Sequence, residues 1–76
     1  MRAYILINLT IDKRSAVMKI QAIEGVERAD LVFGPVDVLA IVRADDLDQL
    51  SNVVGEIAGV DGVNNTVTVI AVSEGG

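Results

Sequence analysis

The chain contains no cysteine, no histidine and no tryptophan, and only one proline, one tyrosine and one phenylalanine. The lack of cysteine rules out disulfides as staples for a small fold. With histidine missing too, thiolate and imidazole metal sites are excluded. A cysteine nucleophile and a histidine acid or base go with them. Neither a metal nor a cofactor is expected, and no catalytic group is assigned. Positive charge is scarce as well: 6 Lys and Arg face 11 Asp and Glu, for a net charge of -5. Direct binding to nucleic acid or to an anionic membrane needs a basic patch that this balance does not supply. No apolar run is long enough to span a bilayer, because Asp37 and Arg43 interrupt the longest. The N-terminus has no basic region followed by a signal-type apolar core. A cytoplasmic protein is expected.

What the chain has instead is apolar surface, at 51% of 76 residues. Residues 1–76 form one domain. A chain this short buries only about 60% of its unfolded surface, and with no staple available a partner subunit becomes the source of further burial. The organising stretch is a hairpin. Leu31-Val32-Phe33 leads into Gly34-Pro35-Val36-Asp37, and Val38-Leu39-Ala40-Ile41-Val42 leads out. Gly34 and Pro35 suit a tight turn, and Asp37 stands where the chain re-enters the sheet.

Around this hairpin the pattern predicts strands over Arg2–Thr10, Val26–Phe33, Val36–Ala44 and Val63–Val72. Helices are expected from Lys13 to Ile23, capped by Asp12, and from Asp45 or Asp46 to Gly59, with Asp46 and Gln49 in capping-box spacing. The helical stripes are Ala16, Val17, Ile20, Ile23 and Leu47, Leu50, Val54, Ile57, Ala58. Arg28 and Asp30 mark the second strand as an edge. Ala22-Ile23-Glu24-Gly25-Val26 echoes Glu56-Ile57-Ala58-Gly59-Val60, and Ser73 to Gly76 reads as a frayed tail. Two βαβ units joined by a hairpin give the α+β, ferredoxin-like βαββαβ fold, a four-stranded antiparallel sheet with both helices on one face.

Two helices cover only one face of such a sheet. The other is expected to carry Tyr4, Leu6, Leu39, Ile41, Ile70 and Val72, diluted by Asn8, Arg43, Thr66 and Thr68. Left bare, it would expose several hundred Å² of apolar surface, large for a monomer. At about 25 cal/mol per Å², covering it is worth roughly 10 kcal/mol before the costs of association. A homodimer with its sheets face to face is therefore expected.

The opening Ala3-Tyr4-Ile5-Leu6-Ile7, the helix-ending Gly25-Val26, the Gly34-Pro35-Val36-Asp37 turn and the final Asn65-Thr66-Val67-Thr68 strand together resemble the effector-binding domain of Lrp/AsnC transcription regulators, also called the regulation of amino acid metabolism domain. Met1 is followed at once by the first strand, so the chain resembles a stand-alone form without the helix-turn-helix. The resemblance implies a dimeric α/β barrel that assembles further, often as an octamer, and a possible link to transcription through a DNA-binding Lrp/AsnC relative. It also implies a small effector, usually an amino acid, bound between dimers near the second-to-third strand turn. Carried over by position, the ligand contacts would be Gly34, Val36 and Asp37, with hydroxyl hydrogen bonds from Thr66 and Thr68. Asp37 would pair with an α-ammonium or orient the loop. The alternatives are an ACT-like amino-acid-binding domain, whose sheets pair edge to edge, and a small dimeric α/β-barrel enzyme such as a monooxygenase. The latter is disfavoured because only Asn8, Arg43 and Tyr4 could supply polar groups to the barrel.

Overall fold

A computed structural model describes residues 1–75 and runs β1 (Arg2–Leu9), α1 (Lys13–Gln21), β2 (Val26–Leu31), β3 (Val38–Arg43), α2 (Leu47–Ala58) and β4 (Val63–Ile70). The strands form one antiparallel sheet in the order β2-β3-β1-β4, the ferredoxin-like α+β arrangement expected. Alternation along β1 sends Ala3, Ile5, Ile7 and Leu9 into the core, where they meet Val38, Ala40 and Val42 of β3. Helix α1 adds Ala16, Val17 and Ile20. Helix α2 adds Leu50, Val53 and Ile57, so its buried stripe runs through Val53 and leaves Leu47 and Ala58 exposed. Ile23 still packs on the core, but from the turn that follows α1 rather than from the helix.

The caps work largely as their residues require. Asp12 adopts a left-handed backbone (φ +52°), and its carboxylate accepts the Ser15 N–H at 3.4 Å. Asp46 Oδ1 accepts the Gln49 N–H at 2.8 Å, whereas the reciprocal arm of the capping box lands one residue early: Gln49 Oε1 accepts the Asp45 N–H at 2.6 Å.

Three expectations need correction. First, the hairpin is not a tight turn. The β2–β3 ladder stops at Leu31 and Val38, leaving residues 32–37 as a six-residue loop. Pro35 has no N–H to offer a ladder, and the Asp37 N–H is diverted to Ile7 O of β1 at 2.9 Å. Second, the internal echo lies three residues further on. Gly25 (φ +99°) and Gly62 (φ +96°) share the left-handed conformation, each one residue before a strand, whereas Gly59 is ordinary helical backbone (φ -82°). The matching segments are therefore Ile23-Glu24-Gly25-Val26 and Val60-Asp61-Gly62-Val63, each closed by a 3.1 Å bond from its valine N–H to the carbonyl three residues back.

Third, β4 presents the opposite face. Its register pairs Thr66 with Ile7, Thr68 with Ile5 and Ile70 with Ala3, all on the helix side, while Val67 and Val69 stand opposite Leu6 and Tyr4. Thr66, Thr68 and Ile70 thus leave the open face to Val67 and Val69. Val72 lies beyond the strand, fully exposed. The cause is a bulge: Leu9 pairs with Val63 but Asn8 with Asn65, so Asn64 is an extra residue that inverts the alternation after Val63.

The open face consequently carries two complete apolar rows across three strands, Ile41–Tyr4–Val69 and Leu39–Leu6–Val67. Polar groups frame it. Arg28 and Asp30 pair at 2.9 Å along β2. At one end Arg43 bonds Glu27 at 2.9 Å and Glu74 at 2.8 Å, and Arg2 sits 3.9 Å from Glu74. The tail expected to fray follows Ala71, whose N–H donates to Arg2 O at 2.9 Å. Gly76 lies outside the described residues.

Candidate ligand-binding site

The 32–37 loop is fastened to the middle of the sheet rather than left free. Val32 N–H donates to Asp37 O at 2.8 Å and closes the loop on itself. Besides the bond from Asp37 N–H to Ile7, the Leu9 N–H donates to Asp37 Oδ2 at 2.8 Å, and Asn8 Nδ2 donates to Pro35 O at 3.3 Å. Lys13, the first residue of α1, donates from Nζ to Asp37 Oδ1 at 3.0 Å. The Asp37 side chain is 22% exposed and that of Lys13 51%. The carboxylate is the more buried partner and the ammonium the more accessible one.

Beside this pair lies a hollow of about 330 Å³ lined by Lys13, Leu31, Val32, Phe33, Gly34 and Asp37. Its walls are apolar, and its polar groups are the Lys13–Asp37 pair and loop backbone, the composition of a small-molecule site. A roomier hollow of about 440 Å³ runs along β2, lined by Gln21 and residues 26–30, where Gln21 Nε2 donates to Ala29 O at 2.9 Å. Its charged side chains are already paired, Arg28 with Asp30 and Glu27 with Arg43. Among the described residues no cluster of three or more acidic side chains is placed to hold a metal.

The loop brings Gly34 and Asp37 of the expected contacts together. Val36, half-buried between them, does not line the hollow. Thr66 and Thr68 sit on β4, on the far side of β1 from the loop. Lys13, Leu31 and Phe33 are not among the contacts expected from the sequence. Phe33 could have been suspected as the lone phenylalanine next to a loop glycine. Lys13 could not, because only the βαβ crossover brings the start of α1 beside the loop.

Held by the Leu9 N–H and then by Lys13, against a smaller opposing effect of burial, the Asp37 carboxyl titrates below its usual range. A depressed folded-state pKa stabilises the fold above the unfolded value of about 3.9, and that contribution fades as pH falls through the lower folded value. The parent should therefore melt above Asp37→Asn at neutral pH, and the gap should close below about pH 4. Thermal melts of both proteins across that range check it; a gap that widens in acid contradicts the assignment.

A four-stranded βαββαβ sheet with one helical layer, one uncovered face and a polar-floored hollow beside its central loop belongs among the ferredoxin-like α+β domains. More particularly, the chain belongs to the Lrp/AsnC family, whose ligand binding domain matches residues 2–74. Among solved structures it is similar to a Thermus thermophilus protein, at 27% identity and a TM-score of 0.91 over 99% of this chain and 96% of that one. It is also similar to E. coli AsnC, at 25% identity and a TM-score of 0.88 over 96% of this chain, and spans about half (51%) of AsnC's length. The fold is shared with a feast or famine regulatory protein from M. tuberculosis complexed with L-methionine, at 22% identity and a TM-score of 0.80 over 96% of this chain and 50% of that one. No curated protein matches the chain. Among the described residues, no helix is long and apolar enough to cross a membrane.

Proposed function

We propose that this Lrp/AsnC domain is a ligand-sensing and assembly module. It takes a small effector, an amino acid, in the hollow beside the 32–37 loop where dimers meet, and self-associates through its open sheet face. The observation that carries the reading is the convergence of an apolar pocket, a loop glycine and the Lys13–Asp37 pair within a domain of this family. The open face supports a face-to-face homodimer through Tyr4, Leu6, Leu39 and Ile41, joined by Val67 and Val69. The fully exposed Phe33 at the loop suits contacts between dimers in a larger assembly. Thr66 and Thr68, which do not line the hollow within one chain, would join it only from a neighbouring copy. The acidic balance argues that any effect on transcription passes through a DNA-binding Lrp/AsnC relative rather than through direct contact with DNA.

Calorimetric titration with the amino acids tests the reading, with L-methionine first because a protein of the same fold holds it. Saturable binding is expected, weakened by about tenfold or more in Asp37→Ala, which releases the loop from Leu9 and Lys13. Undiminished binding by a folded Asp37→Ala protein would move the site elsewhere.

A further inference from the structure

The direction of the Lys13–Asp37 pair determines what the hollow can read. An amino acid carries an ammonium and a carboxylate, and the resemblance to the family suggested Asp37 as partner of the ammonium. The geometry makes Asp37 the less available partner, although each of its oxygens keeps a further lone pair. Both Asp37 oxygens already accept hydrogen bonds, Oδ2 from the Leu9 N–H and Oδ1 from Lys13, and the side chain is the more buried of the two. Lys13 keeps two donor protons beyond the one given to Asp37, and its side chain is the more exposed partner.

The backbone beside it has the same polarity. Among the described residues neither the Phe33 nor the Gly34 N–H has a backbone acceptor, and a Cβ built on Gly34 would meet nothing within 4 Å. Both residues line the hollow, so these unpaired donors are available to an anion there. Leu31, Val32 and Phe33 supply an apolar wall alongside it and no second charge.

We infer that the hollow recognises its ligand through a carboxylate, held by Lys13 and the loop N–H groups, with an apolar tail against Phe33 and Leu31, and that it does not read an α-ammonium. The ligand class is therefore a short apolar carboxylate, in which a 2-oxo acid serves as well as the matching amino acid. This rests on the ligand-sensing role proposed above and narrows it. Lys13 is the specificity-determining residue, and Asp37 positions it.

The test compares three probes on the ¹⁵N-labelled full chain by NMR and calorimetry: L-methionine, its 2-oxo acid, and L-methionine methyl ester. In buffer at about pH 6 or below the ester keeps the ammonium and lacks the carboxylate; the oxo acid does the reverse. The amino acid and the oxo acid should bind within a few-fold of each other and shift the Phe33 and Gly34 amide signals. The ester should bind about tenfold or more weaker, the loss of one charge-assisted interaction. Lys13→Gln should weaken both acids by a similar factor, and Lys13→Arg should restore them, with thermal melts confirming that each variant is folded. An ester that binds as well as the amino acid while the oxo acid stays silent would overturn the inference and leave the ligand-sensing role intact, with the ammonium as the group read. If none of the three perturbs residues 31–37 at millimolar concentration, the inference and the ligand-sensing role fall together.

Discussion

Replacing Leu6 with aspartate is expected to break self-association while leaving the subunit folded. Leu6 occupies the centre of the open face, flanked by Leu39 on one side and Val67 on the other, with Tyr4 two residues along its own strand. Its side chain points away from the helices, so the core built on Ile5 and Ile7 is untouched. In a face-to-face dimer the new carboxylate would be buried against apolar side chains with no partner, a cost of several kcal/mol. A loss of about 3 kcal/mol weakens association by more than a hundredfold. Light scattering at micromolar concentration should find the parent at two or more times 8.0 kDa and Leu6→Asp close to a single chain. The melting temperature of the parent alone should rise with protein concentration. A parent that stays at the mass of one chain would refute the dimer. Asp30→Ala, at the polar margin of the same face, should change little, since exposed ion pairs contribute at most about 1 kcal/mol.

The second large effect concerns the fold. Gly25→Ala places a methyl group 2.8 Å from Val53 Cγ2 at a backbone φ of +99°. Val53 belongs to the core and is packed on the α2 side that faces the sheet. A left-handed backbone costs an ordinary residue about 1–2 kcal/mol, and forcing a methyl into packed side chains costs about 1–3 more. Together these come to about 2–5 kcal/mol, a large share of the 4–11 kcal/mol or so of total stability expected for 76 residues. The melting temperature should fall by roughly 10 °C or more. Gly62→Ala should behave similarly, because its Cβ would lie 3.0 Å from Ile11 O at a φ of +96°. Gly59→Ala should be neutral or mildly stabilising, since Gly59 is already helical and its nearest atoms are 3.6 Å away. If Gly59→Ala proves as damaging as Gly25→Ala, the repeat has been aligned wrongly.

These glycines show what could be read from the chain and what could not. The clean alternation of Ala3, Ile5, Ile7 and Leu9, the period of Leu50 and Ile57, and the acidic caps all express local physics. They placed six elements in the right order and on the right faces, β4 excepted. The two failures in register have a common origin. Gly59 does end α2, as expected, but the left-handed turn into the strand belongs to Gly62, and only the chain path shows which of the two takes it. Asn64 looks like any other residue of a strand, yet as a bulge it turns Val67 and Val69 outward and Ile70 inward. Such an insertion has no signature in the alternation of one strand; it appears only when Asn8 and Leu9 are laid against it. Of the candidate site, the loop with Gly34 and Asp37 was visible because glycine, proline and aspartate cluster there. The half contributed by Lys13 was not, because contacts across a crossover depend on where α1 begins in space.

The fastening of the 32–37 loop carries a mechanical implication. Its ties run to Ile7, Asn8 and Leu9, three consecutive residues of β1, the strand that bears Tyr4 and Leu6. A ligand pressing on the loop from the hollow would therefore bear directly on the strand that forms the middle of the apolar face. Under the function proposed above, occupancy of the hollow and cohesion between copies would share a single lever, the three residues Ile7, Asn8 and Leu9.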